Sequence, residues 1–248
     1  MPAVLILGAG GGFGQRICRM LASSTDLPLI AAGRDQGRLQ AALLELPRDR
    51  VQLFACDATN LERQSLRDLG VAVLIDTVGP FQGRDRRLAR ECAHSGVHYL
   101  DLADDRQFVT CVLELDALAK ANNVLVVSGA STLPALSCAV VDDLAQGFAQ
   151  LQRIDIGIAP GYRGPRGLAT IRSILSYVGR PIPVWRNGRQ GAVLGWGERL
   201  CHEYPPPVGK RDLSLVDVPD TALLPSRYQV YNTWQYARDL RYLSCIEL

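Results

Sequence analysis

Short apolar runs alternate with amphipathic stretches through the first half of the chain. The apolar runs have the length of single strands and lie at residues 4–7, 29–32, 51–56, 72–75, 99–102 and 124–127. The stretches between them, in which apolar residues recur at helical spacing, lie at residues 15–22, 38–46, 61–69, 84–94 and 106–121. Strands that are apolar throughout are typical of a parallel sheet covered by helices on both faces. Because parallel crossovers are right-handed, the pattern predicts a doubly wound α/β sheet of Rossmann type.

The pattern changes after Gly129. Residues 134–149 and 168–177 have helical spacing, and Asn187-Gly188 separates two strand-like runs, which predicts a hairpin. We therefore predict a dinucleotide-binding domain in residues 1–131 and a smaller α+β domain with antiparallel strands in residues 132–248. The end of the second domain, residues 212–248, has no clear period, so an incomplete or variant domain is one explanation.

A glycine-rich stretch, VLILGAGGGFGQRI, follows the first predicted strand. Its spacing is G-x-x-G-x-x-G with two further glycines, and the glycines are Gly8, Gly10, Gly11, Gly12 and Gly14. Free N–H groups at a helix N-terminus near Phe13, together with the helix dipole, favour a pyrophosphate. Gly11 would let the phosphate approach the backbone, and Gly14 would let the helix pack on the sheet. A glycine-rich turn without a ligand is the alternative, but the strand before it and the helix after it favour a dinucleotide.

The residue at the end of the second strand distinguishes NAD from NADP. An acidic residue there would hold the ribose 2′-OH, whereas this chain has Gly33-Arg34. Arg34 can bind a 2′-phosphate in a bidentate manner, and Arg38 is near enough to help. The sequence therefore predicts a preference for NADPH over NADH. An ordinary exposed arginine is the alternative, because only two of the 27 basic residues are lysine.

Two further strand ends complete the predicted cofactor site. Asp57 follows the third strand, where sheets of this type often contact the adenine amino group. The fourth strand ends in DTVGPF. Its glycine-proline turn suits the wall beside the second phosphate and the nicotinamide ribose.

Hydride transfer needs no protein nucleophile, so the candidate chemistry is the handling of one proton and the orientation of a substrate. Asp104 and Asp105 follow the fifth strand and are candidates for proton handling or for binding a substrate ammonium. The alternative is an acidic loop that caps the helix beginning near Arg106. Arg163 and Arg166 flank a glycine-proline turn and could clamp a substrate carboxylate, or they could belong to a surface connector.

Six segments in this order resemble the saccharopine dehydrogenase-like, NADP-binding oxidoreductases: VLILGAGGGFG, AGR, CDATN, LIDTVGPFQ, GVHYLDLADD and SGASTLPALSCAVVDDLA. The resemblance covers about residues 3–144. It implies a Rossmann domain followed by a mixed α/β domain that covers the cofactor and often mediates dimerisation. It also implies NADPH-dependent reduction of imines formed between an amino group and a carbonyl. The substrate motifs of the characterised reductases are not found in the second half of the chain. The resemblance therefore does not identify the substrate.

The resemblance also implies roles for individual residues. The pyrophosphate would be held by Gly8, Gly11, Phe13 and Gly14. Arg34 would bind the 2′-phosphate. The nicotinamide half would be bordered by Val78, Gly79, Pro80 and Phe81.

Composition excludes several classes of protein and partner. The net charge of +2 does not indicate a nucleic-acid partner, and no apolar run reaches the roughly 20 residues of a membrane span. The seven Cys lack a C-x-x-C spacing and the three His do not form a metal cluster. Reduced thiols and the lack of a signal peptide predict a cytoplasmic protein with a small-molecule substrate. Two alternatives are a dinucleotide-binding module without catalysis, such as a redox sensor or scaffold, and an acyl or membrane-surface protein built on the same sheet. The sequence shows no basic amphipathic helix that would support the membrane-surface alternative.

Overall fold

The computed structural model describes residues 2–159, 168–230 and 232–238. For residues 168–170, 232 and 234–238 it describes the backbone alone. The chain forms two compact units. The first unit comprises Met1–Ala103 and Cys111–Ala130, and the second comprises Asp104–Thr110 and Ser131–Leu248. The domain division after residue 131 stays a prediction, and the contacts of the chain place residues 104–110 with the second unit.

The first unit contains a parallel sheet of six strands, which confirms the predicted fold. The strands are β1 (Ala3–Leu7), β2 (Leu29–Gly33), β3 (Val51–Ala55), β4 (Val71–Asp76), β5 (His98–Asp101) and β6 (Val126–Val127). Their order in the sheet is β3-β2-β1-β4-β5-β6, and every neighbouring pair is parallel. The order reverses between β1 and β4, and ligands of such sheets bind outside the carboxyl ends of the strands at this reversal.

Helices connect the strands. They are α1 (Gly12–Ser24), α2 (Gln36–Ala42), α3 (Arg63–Asp68), α4 (Arg87–His94), α5 (Arg106–Cys111) and α6 (Asp116–Ala121). The single helix predicted over residues 106–121 is wrong, because a 3-10 turn at Val112–Leu115 separates α5 from α6. Leu115 and Ala119 are both buried, so the apolar spacing continues through the turn and does not reveal it.

Strand β1 explains why the first apolar run lacks polar alternation. All five of its residues are buried. Leu5 and Leu7 belong to one hydrophobic cluster, whereas Val4 and Ile6 belong to another. Successive side chains of a strand point to opposite faces, so both faces of the sheet are covered by apolar residues.

The second unit contains a mixed sheet. Its strands are β7 (Arg153–Ile158), β8 (Pro181–Arg186), β9 (Arg189–Leu194), β10 (Arg199–Tyr204), β11 (Gly209–Leu215) and β12 (Asn232–Arg238). The order is β10-β11-β12-β8-β9 with antiparallel pairs, and β7 pairs in parallel with β12. The helices are α7 (Ser137–Ala145), α8 (Leu168–Leu175) and α9 (Asp220–Tyr228). The predicted antiparallel strands are confirmed. So is the hairpin, since Asn187 and Gly188 have φ of 51° and 71°.

Two segments of the second unit differ from their sequence pattern. The helix predicted from residue 134 begins at Ser137, after a π-type turn at Thr132–Leu136 in which Leu133 is extended. Residues 212–238, which lack a clear period, contain the end of β11, helix α9 and strand β12. In β11 the buried Ser214 stands between the buried Leu213 and Leu215, so the strand does not alternate between buried and exposed residues.

Within residues 2–159, 168–230 and 232–238, no helix is both long and apolar enough to cross a membrane.

Candidate functional site

The glycine-rich turn joins β1 to α1 at the reversal of strand order. Gly8 has a φ of +78°, and a Cβ there would lie 2.7 Å from Oγ1 of Thr77. A Cβ on Gly14 would lie 2.3 Å from the Gly8 carbonyl oxygen and 2.7 Å from the Ala9 Cα. The helix can lie this close to the end of the strand because residue 14 has no side chain. At Gly11 a Cβ would meet only the Gly8 oxygen, at 3.1 Å, and at Gly12 it would meet nothing within 4 Å.

The N-terminus of α1 is open to an anion. Gly11 is the N-cap residue, its backbone is extended, and no side chain caps the helix. The first N–H groups of the helix therefore have no side-chain acceptor, and the positive end of the helix dipole lies at the same place. Phe13, in the first turn, is 58% exposed. The turn has the donors and the open backbone that a pyrophosphate requires.

Two arginines follow β2, Arg34 and Arg38, and they differ in their contacts. Arg34 is exposed, and among the described residues it makes no hydrogen bond or ion pair. Nε of Arg38 donates to the Gly10 carbonyl oxygen at 3.1 Å, so Arg38 crosses from α2 to the glycine-rich turn. The carboxylate of Asp35 accepts from the Arg38 backbone N–H at 2.9 Å and caps α2. The Asp35 carboxylate therefore already serves as the N-cap of α2.

Asp57 begins a 3-10 turn after β3. Its Oδ1 accepts from the N–H of Thr59 at 2.9 Å and from the Thr59 hydroxyl at 2.8 Å. These hydrogen bonds lower the pKa of Asp57, and the positive charge of Arg34 lowers it further. The structure thus brings Arg34 and Asp57 within electrostatic reach of each other at adjacent strand ends.

The segment after β4 contacts the glycine-rich turn. The N–H and the hydroxyl of Thr77 both donate to the Leu7 carbonyl oxygen, at 3.1 and 2.7 Å. The residues that the sequence predicts at the nicotinamide half follow directly; they are Val78, Gly79, Pro80 and Phe81. Arg84 donates to the Val78 carbonyl oxygen and lies over the Phe81 ring, 4.9 Å from its centroid.

Asp76, at the last position of β4, is a site residue that the sequence analysis missed. It is fully buried. Its Oδ1 accepts from the Val78 N–H at 2.9 Å. Its Oδ2 accepts from Nη2 of Arg84 at 2.8 Å and from the Tyr99 hydroxyl at 3.2 Å. Burial is the main cause that raises the pKa of the Tyr99 hydroxyl, and the negative charge of Asp76 raises this pKa further. Tyr99 therefore donates a proton to this contact.

Asp101 repeats the arrangement at the last position of β5, in register with Asp76. Its Oδ1 accepts three hydrogen bonds of 2.9 Å, from the N–H groups of Ala103 and Gly129 and from the Ser128 hydroxyl. Burial raises the pKa of Asp101, against the lowering effect of these donors. The carboxyl group ties the loops after β5 and β6 together. An aspartate that closes an apolar strand, as in VLID and HYLD, is the sequence signal that could have found both residues.

Asp104 and Asp105 belong to the second unit, and each has a partner there. Oδ1 of Asp105 accepts from the Phe108 N–H at 2.7 Å, at the start of α5, and Oδ2 of Asp104 accepts from the Ser173 hydroxyl at 2.8 Å. Burial raises the pKa of Asp105, and the charges of Asp217 and Asp104 raise it further. The Asp105 contact corresponds to the capping alternative, while the raised pKa also suits proton handling.

The predicted carboxylate clamp and a possible metal site are the remaining features to locate. Arg163 and Arg166 lie outside the described residues. Among the residues that the structure describes, no three His, Cys, Asp or Glu side chains are grouped to hold a metal ion.

Known proteins resemble the chain in sequence and in fold. Residues 4–127 match the family described as saccharopine dehydrogenase NADP binding domain. No curated protein matches the sequence. Apo saccharopine dehydrogenase (L-Glu forming) from Saccharomyces cerevisiae has a TM-score of 0.70 at 14% identity, over 96% of this chain and 55% of that one. GenD2 from gentamicin A biosynthesis, in complex with NAD, has a TM-score of 0.50 at 13% identity, over 96% and 65%. The chain thus spans less than two thirds of either protein, and the likeness shows the fold.

Proposed function

Because this chain belongs to the family of the saccharopine dehydrogenase NADP binding domain, we propose that it is an NADPH-dependent oxidoreductase. It transfers a hydride to or from a small amino acid-like or imine substrate. One observation carries the proposal: the tight turn from Gly8 to Gly14 presents an uncapped helix N-terminus at the reversal of strand order. The match to the NADP binding domain of saccharopine dehydrogenase supports this function over a dinucleotide-binding module without catalysis.

The proposed cofactor site uses the backbone for the pyrophosphate. The first N–H groups of α1, at Gly12, Phe13 and Gly14, would donate to the phosphate oxygens. Gly8 and Gly11 keep the approach to the turn free of side chains, and substitution at Gly8 is further opposed by its positive φ. When bound, the nicotinamide ring supplies the hydride chemistry, and the chain supplies binding and orientation.

The preference for NADPH is proposed to come from Arg34. Its exposed guanidinium makes no hydrogen bond or ion pair among the described residues, whereas the Arg38 guanidinium donates to the Gly10 carbonyl oxygen. A bidentate, charge-assisted contact to the 2′-phosphate requires such a guanidinium. Asp57, whose pKa is lowered, keeps a negative charge that is available to the adenine amino group.

The proposed substrate groups rest on residue chemistry. Asp104 and Asp105 are proposed to handle the proton or to bind a substrate ammonium, and the raised pKa of Asp105 supports the first role. Arg163 and Arg166 are proposed to clamp a carboxylate. A cytoplasmic location and dimerisation through residues 132–248 complete the proposal.

The experiment that tests this function is NADPH oxidation with a panel of imines formed from amino acids and 2-oxo acids. The proposal expects NADPH absorbance to fall with at least one imine, and the rate to be lost in Gly11→Val. The matched control is Gly191→Ala on β9, because a Cβ at Gly191 meets nothing within 4 Å and Gly191 lies outside the glycine-rich turn. Binding of NADPH without its oxidation by any imine or oxo acid, and without reduction of NADP+ by any amino acid, would contradict the catalytic part of the proposal.

A further inference from the structure

One guanidinium, that of Arg84, contacts the segment 77–81 and the residue before it. Nη2 of Arg84 donates to the Asp76 carboxylate at 2.8 Å, before the segment begins. Nη1 of Arg84 donates to the Val78 carbonyl oxygen, near the middle of the segment. The guanidinium carbon lies 4.9 Å from the centroid of the Phe81 ring, at the end of the segment. One side chain therefore contacts the residue before the segment and two residues within it.

The start of the same segment is held by β1. Thr77 donates from its backbone and its hydroxyl to the Leu7 carbonyl oxygen. A Cβ on Gly8 would lie 2.7 Å from Thr77 Oγ1 and 3.2 Å from Val78 Cγ2, so the segment touches the glycine-rich turn. Any shift of residues 77–81 toward β1 meets this turn. The Arg84 contacts hold the same segment at Val78 and Phe81.

The chemistry of the contact requires an arginine. Asp76 is fully buried and accepts from Arg84, Tyr99 and the Val78 N–H. Burial alone would lower the pKa of Arg84, but the charge of Asp76 and the hydrogen bond to it raise the pKa overall. The side chain therefore stays charged. A planar fork donates to two acceptors in fixed directions and also stacks on an aromatic ring, which a lysine ammonium does not do.

We propose that Arg84 is a positioning residue for the nicotinamide half of the dinucleotide, which it serves by fixing residues 77–81 against the glycine-rich turn. The inference rests on the proposed function together with the prediction, made from the sequence, that residues 78–81 border the nicotinamide half of the dinucleotide. Arg84 acts through Val78 and Phe81. Its removal should affect the nicotinamide end of the ligand and spare the adenine end.

The experiment compares two ligands by titration calorimetry: NADPH and 2′-phospho-ADP-ribose, which lacks the nicotinamide. The variants are Arg84→Met, Arg84→Lys and the double variant Asp76→Asn with Arg84→Met. The double variant avoids a buried carboxylate without its partner, which could prevent Arg84→Met from folding. The matched control is Arg90→Met, since Arg90 is an exposed arginine on α4.

The wild type should bind NADPH more tightly than 2′-phospho-ADP-ribose. Arg84→Met and the double variant should each lose about tenfold in NADPH affinity while the affinity for the analogue changes less than about twofold. Arg84→Lys should lose less, and Arg90→Met should match the wild type. This selective loss is a readout that a merely structural role would not produce.

Several results would overturn the inference. Equal losses for both ligands would show that Arg84 supports the fold of the unit. Unchanged affinities in a folded variant, or a wild type that binds both ligands equally, would show that Arg84 has no positioning role for the nicotinamide. A wild type that binds neither ligand would overturn the proposed function itself, and the inference with it.

Discussion

Replacing Arg34 with alanine separates recognition of the 2′-phosphate from every other contribution to cofactor binding. Arg34 is exposed and makes no hydrogen bond or ion pair among the described residues. The free energy of unfolding should therefore change by no more than about 0.5 kcal/mol. Loss of a charge-assisted contact to a phosphate costs about 1.5–3 kcal/mol. The affinity for NADPH should fall roughly 10- to 150-fold.

The assay is titration calorimetry with NADPH and NADH at two salt concentrations. NADH has no 2′-phosphate, so its affinity should hardly change in Arg34→Ala. Arg34→Lys should recover only part of the NADPH affinity, because lysine lacks the planar fork. Added salt should weaken NADPH binding more in the wild type than in Arg34→Ala, in which the screened contact is already lost. Arg48→Ala is the matched control, since Arg48 is an exposed arginine just before the amino end of β3.

Equal weakening of both cofactors in Arg34→Ala would refute this reasoning. Arg34 would then stack on the adenine or hold the loop after β2. Specificity for NADP would have to come from Arg38. Because Arg38 donates to the Gly10 carbonyl oxygen, Arg38→Ala should in any case weaken both cofactors by loosening the turn.

Three further predictions concern the turn and the buried carboxyl group. Gly11→Val should abolish NADPH binding and leave the circular dichroism spectrum unchanged, because its Cβ would approach only the Gly8 oxygen, at 3.1 Å; tight binding would contradict the phosphate role. Gly14→Ala should lower the free energy of unfolding in urea by ~1–3 kcal/mol through overpacking, whereas Gly12→Ala, with open space around it, should cost nothing; equal costs would refute the packing argument. Asp101 has a pKa raised by burial, so its protonated form favours the folded state. Its contribution to stability should be lost as pH rises from about 3.9, the ordinary pKa of Asp, through the raised value. The unfolding free energy of the wild type minus that of Asp101→Asn should accordingly fall as pH rises over this window. A rise in this difference would contradict the prediction.

The parallel sheet could be predicted because its strands are buried on both faces. Leu5 and Ile6 are adjacent and fully buried against different clusters, so β1 appears as a continuous apolar run. The position of the turn could be predicted for a related reason. Gly14 follows the strand at the spacing that lets a helix pack on it, and the required close contact is local.

The contacts that hold the site could not be predicted, because they depend on strand register and on side chains distant in sequence. Asp76 and Tyr99 are brought together by the pairing of β4 with β5. Arg38 reaches Gly10 from 28 residues away. In the second unit, α9 contains Pro225, and β11 is buried at three successive residues, so neither element shows the usual period.

Titration of the wild-type protein with NADPH and with NADH under the same conditions shows whether the chain binds a dinucleotide and whether it recognises the 2′-phosphate. Both dinucleotides should bind at one site and compete, and NADPH should bind at least about tenfold more tightly, equivalent to about 1.4 kcal/mol. Equal affinities would contradict the assignment of Arg34 to the 2′-phosphate. The absence of binding by either dinucleotide would contradict the assignment of the glycine-rich turn to the pyrophosphate.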